Sequence, residues 1–200
     1  MNISVILAHP IPGSFNHAIA DTVVAEAGRN GHVVSLHDLY REGFNPLLPG
    51  AEIPADAALP PVVAAHCEEI EAAGGIVIVH PNWWGQPPAI LTGWIDRVMR
   101  RCVAYNFVEG DCGEGVPVGL LKARRAVVFN TSDTPEDREH DVFGDPLELI
   151  WKNCVFGLCG VCDVHRKTFS VVVTSTQEER ERWLTEAKDL VGRCFPRNGP

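Results

Sequence analysis

Three polar stretches of the sequence carry side chains able to hold an anion and a planar ring. The first is His9-Pro10-Ile11-Pro12-Gly13-Ser14-Phe15-Asn16. It leads into a segment of helical period, so unpaired backbone N–H groups and the positive end of the helix dipole would face a phosphate. Ser14, Asn16 and His9 add side-chain donors, although Ser14 or Asn16 would also serve simply as a helix cap. The spacing is neither G-x-G-x-x-G nor a Walker loop, so a Rossmann nicotinamide site is not indicated. The second stretch is Pro81-Asn82-Trp83-Trp84-Gly85-Gln86-Pro87-Pro88. Two tryptophans in a loop rich in proline and glycine suit a planar ring system. The third is Asn130-Thr131-Ser132-Asp133, whose small polar side chains would donate to ring carbonyls. A charged run, 136–141, follows it and reads as a solvated face. Within that run His140 is the candidate catalytic residue, as the group that titrates near neutrality.

Cys159-x-x-Cys162, with Cys154 and His165 nearby, has a spacing used for metals and redox chemistry. No second C-x-x-C pair accompanies it, and an odd total of seven cysteines fits no disulfide framework. These thiols read as small apolar groups, and no metal centre is expected.

The elements that must position the three stretches follow from hydrophobic period. Apolar runs of strand length at 3–8, 32–39, 76–79, 126–129 and 167–173 alternate with segments of helical period. Helices are expected from Phe15 to Asn30-Gly31, over 62–73 and 88–102, near 146–156, and from a capping box Thr176-x-x-Glu179 to the C-terminus. The alternation predicts an α/β fold, a flavodoxin-like doubly wound five-stranded parallel sheet with helices on both faces. Such sheets bind ligands where strand order reverses, which gathers the loops after strands one, three and four. A phosphate at the first stretch and a ring between the other two describe a flavin site. The proline-rich segment 43–61 reads as a long surface loop, and residues 197–200 as a frayed tail.

Composition bounds the rest. The chain has 200 residues, 46% hydrophobic and 22% charged, which suits one folded domain spanning 1–200 and excludes disorder. The net charge of -9 argues against nucleic-acid binding. No apolar run reaches membrane-spanning length and the N-terminus lacks a signal pattern, so a cytoplasmic protein is expected, not an integral membrane one.

The chain resembles the NAD(P)H dehydrogenase (quinone) family, the flavodoxin-like NAD(P)H:quinone oxidoreductases. Four stretches carry the likeness: His9-Pro10 with Ser14-Phe15-Asn16-x-Ala18; Asp38-Leu39-Tyr40 with Gly43-Phe44-Asn45-Pro46; Pro81-x-Trp83-Trp84-Gly85-x-Pro87-x-Ala89 through Trp94-x-Asp96-Arg97; and Gly157-Leu158-Cys159-Gly160-Val161. The resemblance implies FMN or FAD bound without a covalent link, and a homodimer with sites at its interface. It also implies ping-pong transfer of two electrons from NADH or NADPH to a quinone or similar small-molecule acceptor. His9, Ser14, Phe15 and Asn16 would hold the phosphate and ribityl chain. Pro81, Asn82, Trp83, Trp84 and Gly85 would line the isoalloxazine. Asn130, Thr131, Ser132 and Asp133 would face its pyrimidine edge. FMN is the expected form, because the first stretch explains one phosphate and no segment marks an adenine pocket. The sequence departs from the family where many members carry Thr-Thr-Gly-Gly, here Asn130-Thr131-Ser132-Asp133. It departs again where some carry a tyrosine and a histidine, here Asp137 and Phe143, with His140 between them. Thr92 stands where a lysine is frequent. Two other functions fit the same pattern: a one-electron carrier like flavodoxin, and a regulatory flavoprotein subunit of a membrane transporter.

Overall fold

The computed structural model describes residues 1–108, 115 and 117–197. Cys112 and positions 198–200 of the expected tail lie outside the described residues. Five parallel strands form the sheet: β1 (Asn2–Leu7), β2 (Val33–Asp38), β3 (Gly75–Pro81), β6 (Arg125–Ser132) and β7 (Asp163–Ser170), in the order β2-β1-β3-β6-β7. A two-stranded antiparallel ribbon of β4 (Tyr105–Asn106) and β5 (Val118–Gly119) was not foreseen. The chain leaves β1 outward to β2, then crosses back to β3, so the order reverses between β1 and β3. That reversal opens a crevice at the carboxyl ends of the strands.

Sequence dictates this layering through period. β3 is buried at every position, as a central parallel strand covered on both faces must be. Alternate residues of the central strands face opposite sides. Ile6, Ile76, Ile78, Ala126 and Val128 pack with Leu91 and Trp94 of α3 (Ala89–Val98) and with Trp151. Val5, Leu7, Val77, Val127 and Phe129 pack with Ile19 and Val23 of α1 (Phe15–Arg29) and with Ala187 and Val191 of α6 (Gln177–Cys194). α2 (Pro61–Ala72) completes the first layer. Among the described residues no helix is long and apolar enough to cross a membrane.

Several boundaries differ from those the sequence suggests. β6 runs to Ser132, because β3 and β7 continue to pair with it: His80 lies opposite Asn130, and Asn130 opposite Thr168. Asn130, Thr131 and Ser132 are therefore the end of a strand rather than a loop. β7 lies earlier than 167–173, since Val171 adopts a left-handed φ of 58° and Val172–Thr174 form a 3-10 turn. α3 stops at Val98. The charged run is not wholly extended chain: Glu136–Asp141 form α4. The expected helix near 146–156 is a short α5 (Pro146–Leu149) followed by a π-helical segment, Ile150–Gly157. The 43–61 segment is anchored rather than free. Its Phe44 is buried, and Glu52 in the 3-10 turn Gly50–Glu52 forms a buried two-pronged pair with Arg97 of α3, at 2.6 and 2.9 Å. The capping box at Thr176 and Glu179 is present in full.

Candidate active site

A cavity of about 330 Å³ sits at the carboxyl ends of β1, β3 and β6. His9, Ser14, Phe15 and Asn16 line it from the β1–α1 loop and the start of α1. Pro81, Asn82 and Trp83 line it from the end of β3, and Thr131, Ser132 and Asp133 from the end of β6. The three stretches thus converge as their chemistry requires.

The anion-holding end is built from α1. Gly13 takes a φ of +73°, which glycine adopts without steric cost, and turns the chain into the helix. Ser14 occupies the N-cap position, but its side chain does not cap the helix. Its hydroxyl instead meets His17 Nδ1 at 2.8 Å, while His17 Nε2 reaches Asp38 at 3.2 Å. The His17 N–H donates to the Ser14 carbonyl at 2.9 Å, so among the described residues the Phe15 and Asn16 N–H groups are the ones left open to an anion. Arg180 also lines the cavity, and sequence reasoning missed it. Its Nε donates to Ser175 Oγ at 2.8 Å and one terminal nitrogen to the Val172 carbonyl at 3.1 Å, with the guanidinium 5.9 Å from the Phe15 ring centroid. Among the described residues the remaining donors of the fork have no partner. A cation in the opening turn of a helix beginning Thr-x-x-Glu was a signal in the sequence, but nothing there showed that α6 ends beside α1.

Asn16 is 2% exposed. Its Nδ2 donates to Thr131 Oγ1 at 2.8 Å, and its Oδ1 is buried with no partner among the described residues. An orphaned amide oxygen on the wall of a polar cavity calls for a donor from a ligand. His9 accepts from the Ile11 N–H through Nδ1 at 3.2 Å, so the neutral ring carries its proton on Nε2. Burial, with the charge of neighbouring His17, holds its pKa below the ordinary value.

The tryptophan loop is a tight turn. Trp83 and Gln86 exchange backbone hydrogen bonds at 3.1 and 3.0 Å, and Trp84 and Gly85 both have positive φ, 58° and 71°. That is the two-residue hairpin turn in which glycine is favoured; a tryptophan there is strained. The turn is fixed from within by the Gly85 N–H donating to Asn82 Oδ1 at 3.0 Å. From outside, Pro146 packs so closely that a Cβ on Gly85 would lie 2.6 Å from its Cγ. Trp84 and Gly85 do not face the first cavity. They line a second, of about 640 Å³, with Glu139, Val142, Phe143 and Pro146. Asn82 and Thr134 line both, so the two cavities adjoin.

Asn130 and His140 are not brought to the first cavity. Asn130 is fully buried; its Nδ2 donates to His80 Nε2 at 2.8 Å, and its Oδ1 accepts from Arg166 at 3.3 Å. His80 also accepts from Trp151 Nε1 at 2.9 Å on the same nitrogen, while its Nδ1 bonds the Pro81 carbonyl at 2.8 Å. Both donors thus fix one neutral tautomer, and burial, assisted by the Arg166 charge, lowers the His80 pKa to about 4. His80, read from sequence only as the end of a strand, is the post that holds Pro81. His140 is exposed on α4 beside a side cavity of about 320 Å³, 3.8 Å from Asp145.

Among the described residues, His37, Glu42 and His66 bring ligand atoms close enough for a metal ion. Trp94 Nε1 donates to His66 Nδ1 at 3.0 Å, however, so neutral His66 presents a proton rather than a lone pair to Glu42, 3.3 Å away. The cluster reads as a hydrogen-bonded clasp. Of the C-x-x-C pair, Cys159 is buried, which pushes its thiol up to about 11, and Cys162 is exposed. Both are free thiols.

Comparison with known proteins agrees with this architecture. A protein of Haemophilus influenzae named an uncharacterized NAD(P)H oxidoreductase is 33% identical over 173 residues, covering 84% of this chain and 83% of its own. The solved NAD(P)H:quinone oxidoreductase of Methanothermobacter marburgensis is 26% identical and superposes with a TM-score of 0.82, covering 100% of this chain and 98% of its own. An FMN-dependent NADH-azoreductase of Bacillus anthracis, solved in complex with FMN, shares the fold at a TM-score of 0.78 and 17% identity, over 98% of this chain and 100% of its own. The family model described as the flavodoxin-like fold matches residues 1–191, and the chain belongs to that family.

Proposed function

We propose that the protein is a flavin-dependent NAD(P)H:acceptor oxidoreductase that binds FMN and reduces quinones or related aromatic acceptors. One observation carries the reading: an uncapped helix N-terminus, the Arg180 guanidinium and the unpartnered Asn16 Oδ1 line one polar cavity that adjoins a larger aromatic slot. The relatives named as NAD(P)H oxidoreductases and the azoreductase solved with FMN support it.

A flavin bound there would supply two-electron hydride chemistry between a nicotinamide and an acceptor. The chain's own residues hold and orient. The α1 N–H groups and Arg180 bind the phosphate, one by dipole and the other by charge. Asn16 Oδ1 and the Ser14 hydroxyl would receive the ribityl chain. The Pro81 carbonyl, held by His80, and the Asn82–Trp83 backbone would hold the ring, with Thr131 and Ser132 offering it polar groups. Trp84, Val142 and Phe143 line the slot that would receive the nicotinamide or acceptor. A homodimer belongs to the same reading, because Trp84 is 98% exposed and Leu47 and Phe143 are also uncovered.

The test is an anaerobic titration of FMN-loaded protein with NADH and then NADPH, followed at the oxidised flavin band. Full bleaching within seconds is expected, with one nicotinamide favoured. Bleaching that halts at one electron per flavin identifies a one-electron carrier instead. Failure to bind FMN while FAD binds moves the cofactor assignment to FAD.

A further inference from the structure

Glu139 forms a wall of the large slot, and its side chain is out of keeping with its surroundings. It is 7% exposed, its Oε1 is fully buried, and among the described residues its carboxylate has no hydrogen-bond or ion-pair partner. Its backbone is fixed on both sides: its N–H donates to the Pro135 carbonyl at 3.1 Å, and its carbonyl accepts from Asp145 N–H at 2.9 Å. The position of its Cα in the slot wall is therefore set by α4 and the turn that follows it. An unpaired buried carboxylate is among the most costly arrangements a fold can hold, and packing alone would be better served by an amide or an apolar group.

The neighbours do not relieve it. Trp84, Val142, Phe143 and Pro146, which share the slot, are apolar, and its polar residues Asn82 and Thr134 make no hydrogen bond to Glu139 among the described residues. Behind it, in the side cavity, Asp145 has a second buried and unpartnered oxygen, Oδ1. The nearby cation Arg166 is spent on Asp145, Glu148, Asn130 and Thr168. Glu136 adds another acid to the same lining, against Lys167 and His140. The slot thus pairs an apolar wall with the Glu139 carboxylate, the one charged group in its lining among the described residues, and further acids lie in the adjoining side cavity.

The geometry points to Glu139 as the residue that selects the substrate admitted to the slot, favouring aromatic compounds that carry a cationic or N–H donor group and rejecting anionic ones. This rests on the oxidoreductase reading for the word substrate, but the recognition itself needs only the slot. An entering cation or N–H donor meets the Glu139 carboxylate at the slot wall, where the hydrogen bond is charge-assisted. A sulfonate or carboxylate meets like charge there.

Two measurements on wild type and Glu139→Gln test it. The first is kcat/KM for a naphthoquinone carrying a trialkylammonium group against one carrying a sulfonate. Wild type is expected to prefer the cation by about 100-fold, and the variant to bring the ratio within about 3-fold, the span of a close charge pair lost. The second is binding of 2-naphthamidine and 2-naphthoate, followed by tryptophan fluorescence without turnover. The same collapse of the Kd ratio is expected there. A wild-type ratio near unity, or one that the variant leaves unmoved, overturns the inference. An intact Kd ratio in a protein that turns over no quinone overturns the oxidoreductase reading and leaves the role of Glu139 standing.

Discussion

Arg180 shows how much of an anion site rests on a side chain far away in sequence. The helix dipole at Ser14–Asn16 supplies partial charge, whereas a full positive charge comes from α6, fixed by Ser175 and Val172. A charge-assisted hydrogen bond to phosphate contributes about 1.5–3 kcal/mol, so Arg180→Ala should weaken FMN binding by roughly 10–100-fold. The loss should shrink at high salt, and titration calorimetry at two ionic strengths checks both. Riboflavin, which lacks the phosphate, should bind the variant and the wild type alike. A second residue-scale consequence concerns His80. Its folded pKa of about 4 lies below the ordinary 6.5. The unfolded chain therefore takes up the proton first as the pH falls. Stability is at its full value above 6.5 and is lost as the pH falls towards 4, by on the order of 3 kcal/mol. His66, lowered to about 4 by burial and then by the charge of His37, acts in the same direction. At His37 burial opposes the charge, but hydrogen bonds and attraction from Glu69 and Glu42 outweigh it and raise the pKa, so its contribution is present at low pH and fades on the alkaline side. The melting temperature measured from pH 7 to pH 4 should fall less steeply in His80→Gln, even though that variant starts lower at pH 7.

At the scale of elements, the anchored arm of residues 43–61 makes the clearest prediction. Gly93 of α3 lies so close to the Pro46 backbone that an added Cβ would collide with its carbonyl. Gly93→Ala removes no contact and raises helix propensity, yet it must push the arm outward. A cost of about 1–3 kcal/mol is expected from such overpacking, read as a lower denaturant midpoint with faster proteolysis inside 43–61. The arm also shows where sequence reasoning reached and stopped. Its prolines made it legible as a loop. The Glu52–Arg97 pair that pins it was not, because an arginine on a helix names no partner. Central strands β1 and β3 were legible because burial on both faces demands continuous apolar residues. The end of β6 was not, because Asn130, Thr131 and Ser132 look like a loop until two neighbouring strands pair with them. β7 was misplaced by Val171–Val173, whose β-branched side chains favour a strand that a left-handed φ at Val171 ends. The π-helical turn left no mark at all: its apolar spacing over 150–157 reads like an ordinary helix.

At the scale of the molecule, the three polar stretches were legible as a site since a doubly wound sheet leaves one place for them to meet. What surrounds that place was less so. Trp84 is almost wholly exposed and sits in backbone conformation that a bulky residue rarely adopts. Leu47, with Pro46, lies beside it in one surface hollow, and Phe143 and Val142 are exposed on the other side of the turn. A soluble monomer gains nothing from a strained, uncovered tryptophan, whereas a partner surface gains a rigid aromatic anchor. If a second copy covers this rim, the slot is completed only in the assembly, and association and acceptor binding become linked. Trp84→Ser should then lower the sedimentation mass from dimer to monomer at micromolar concentration and raise the KM for the acceptor, while FMN affinity, which the proposed site places at α1 and Arg180, should change little. Sedimentation equilibrium of wild type decides it. A monomer throughout the micromolar range would mean that Trp84 meets only the substrate, and that the slot works with one wall open to water.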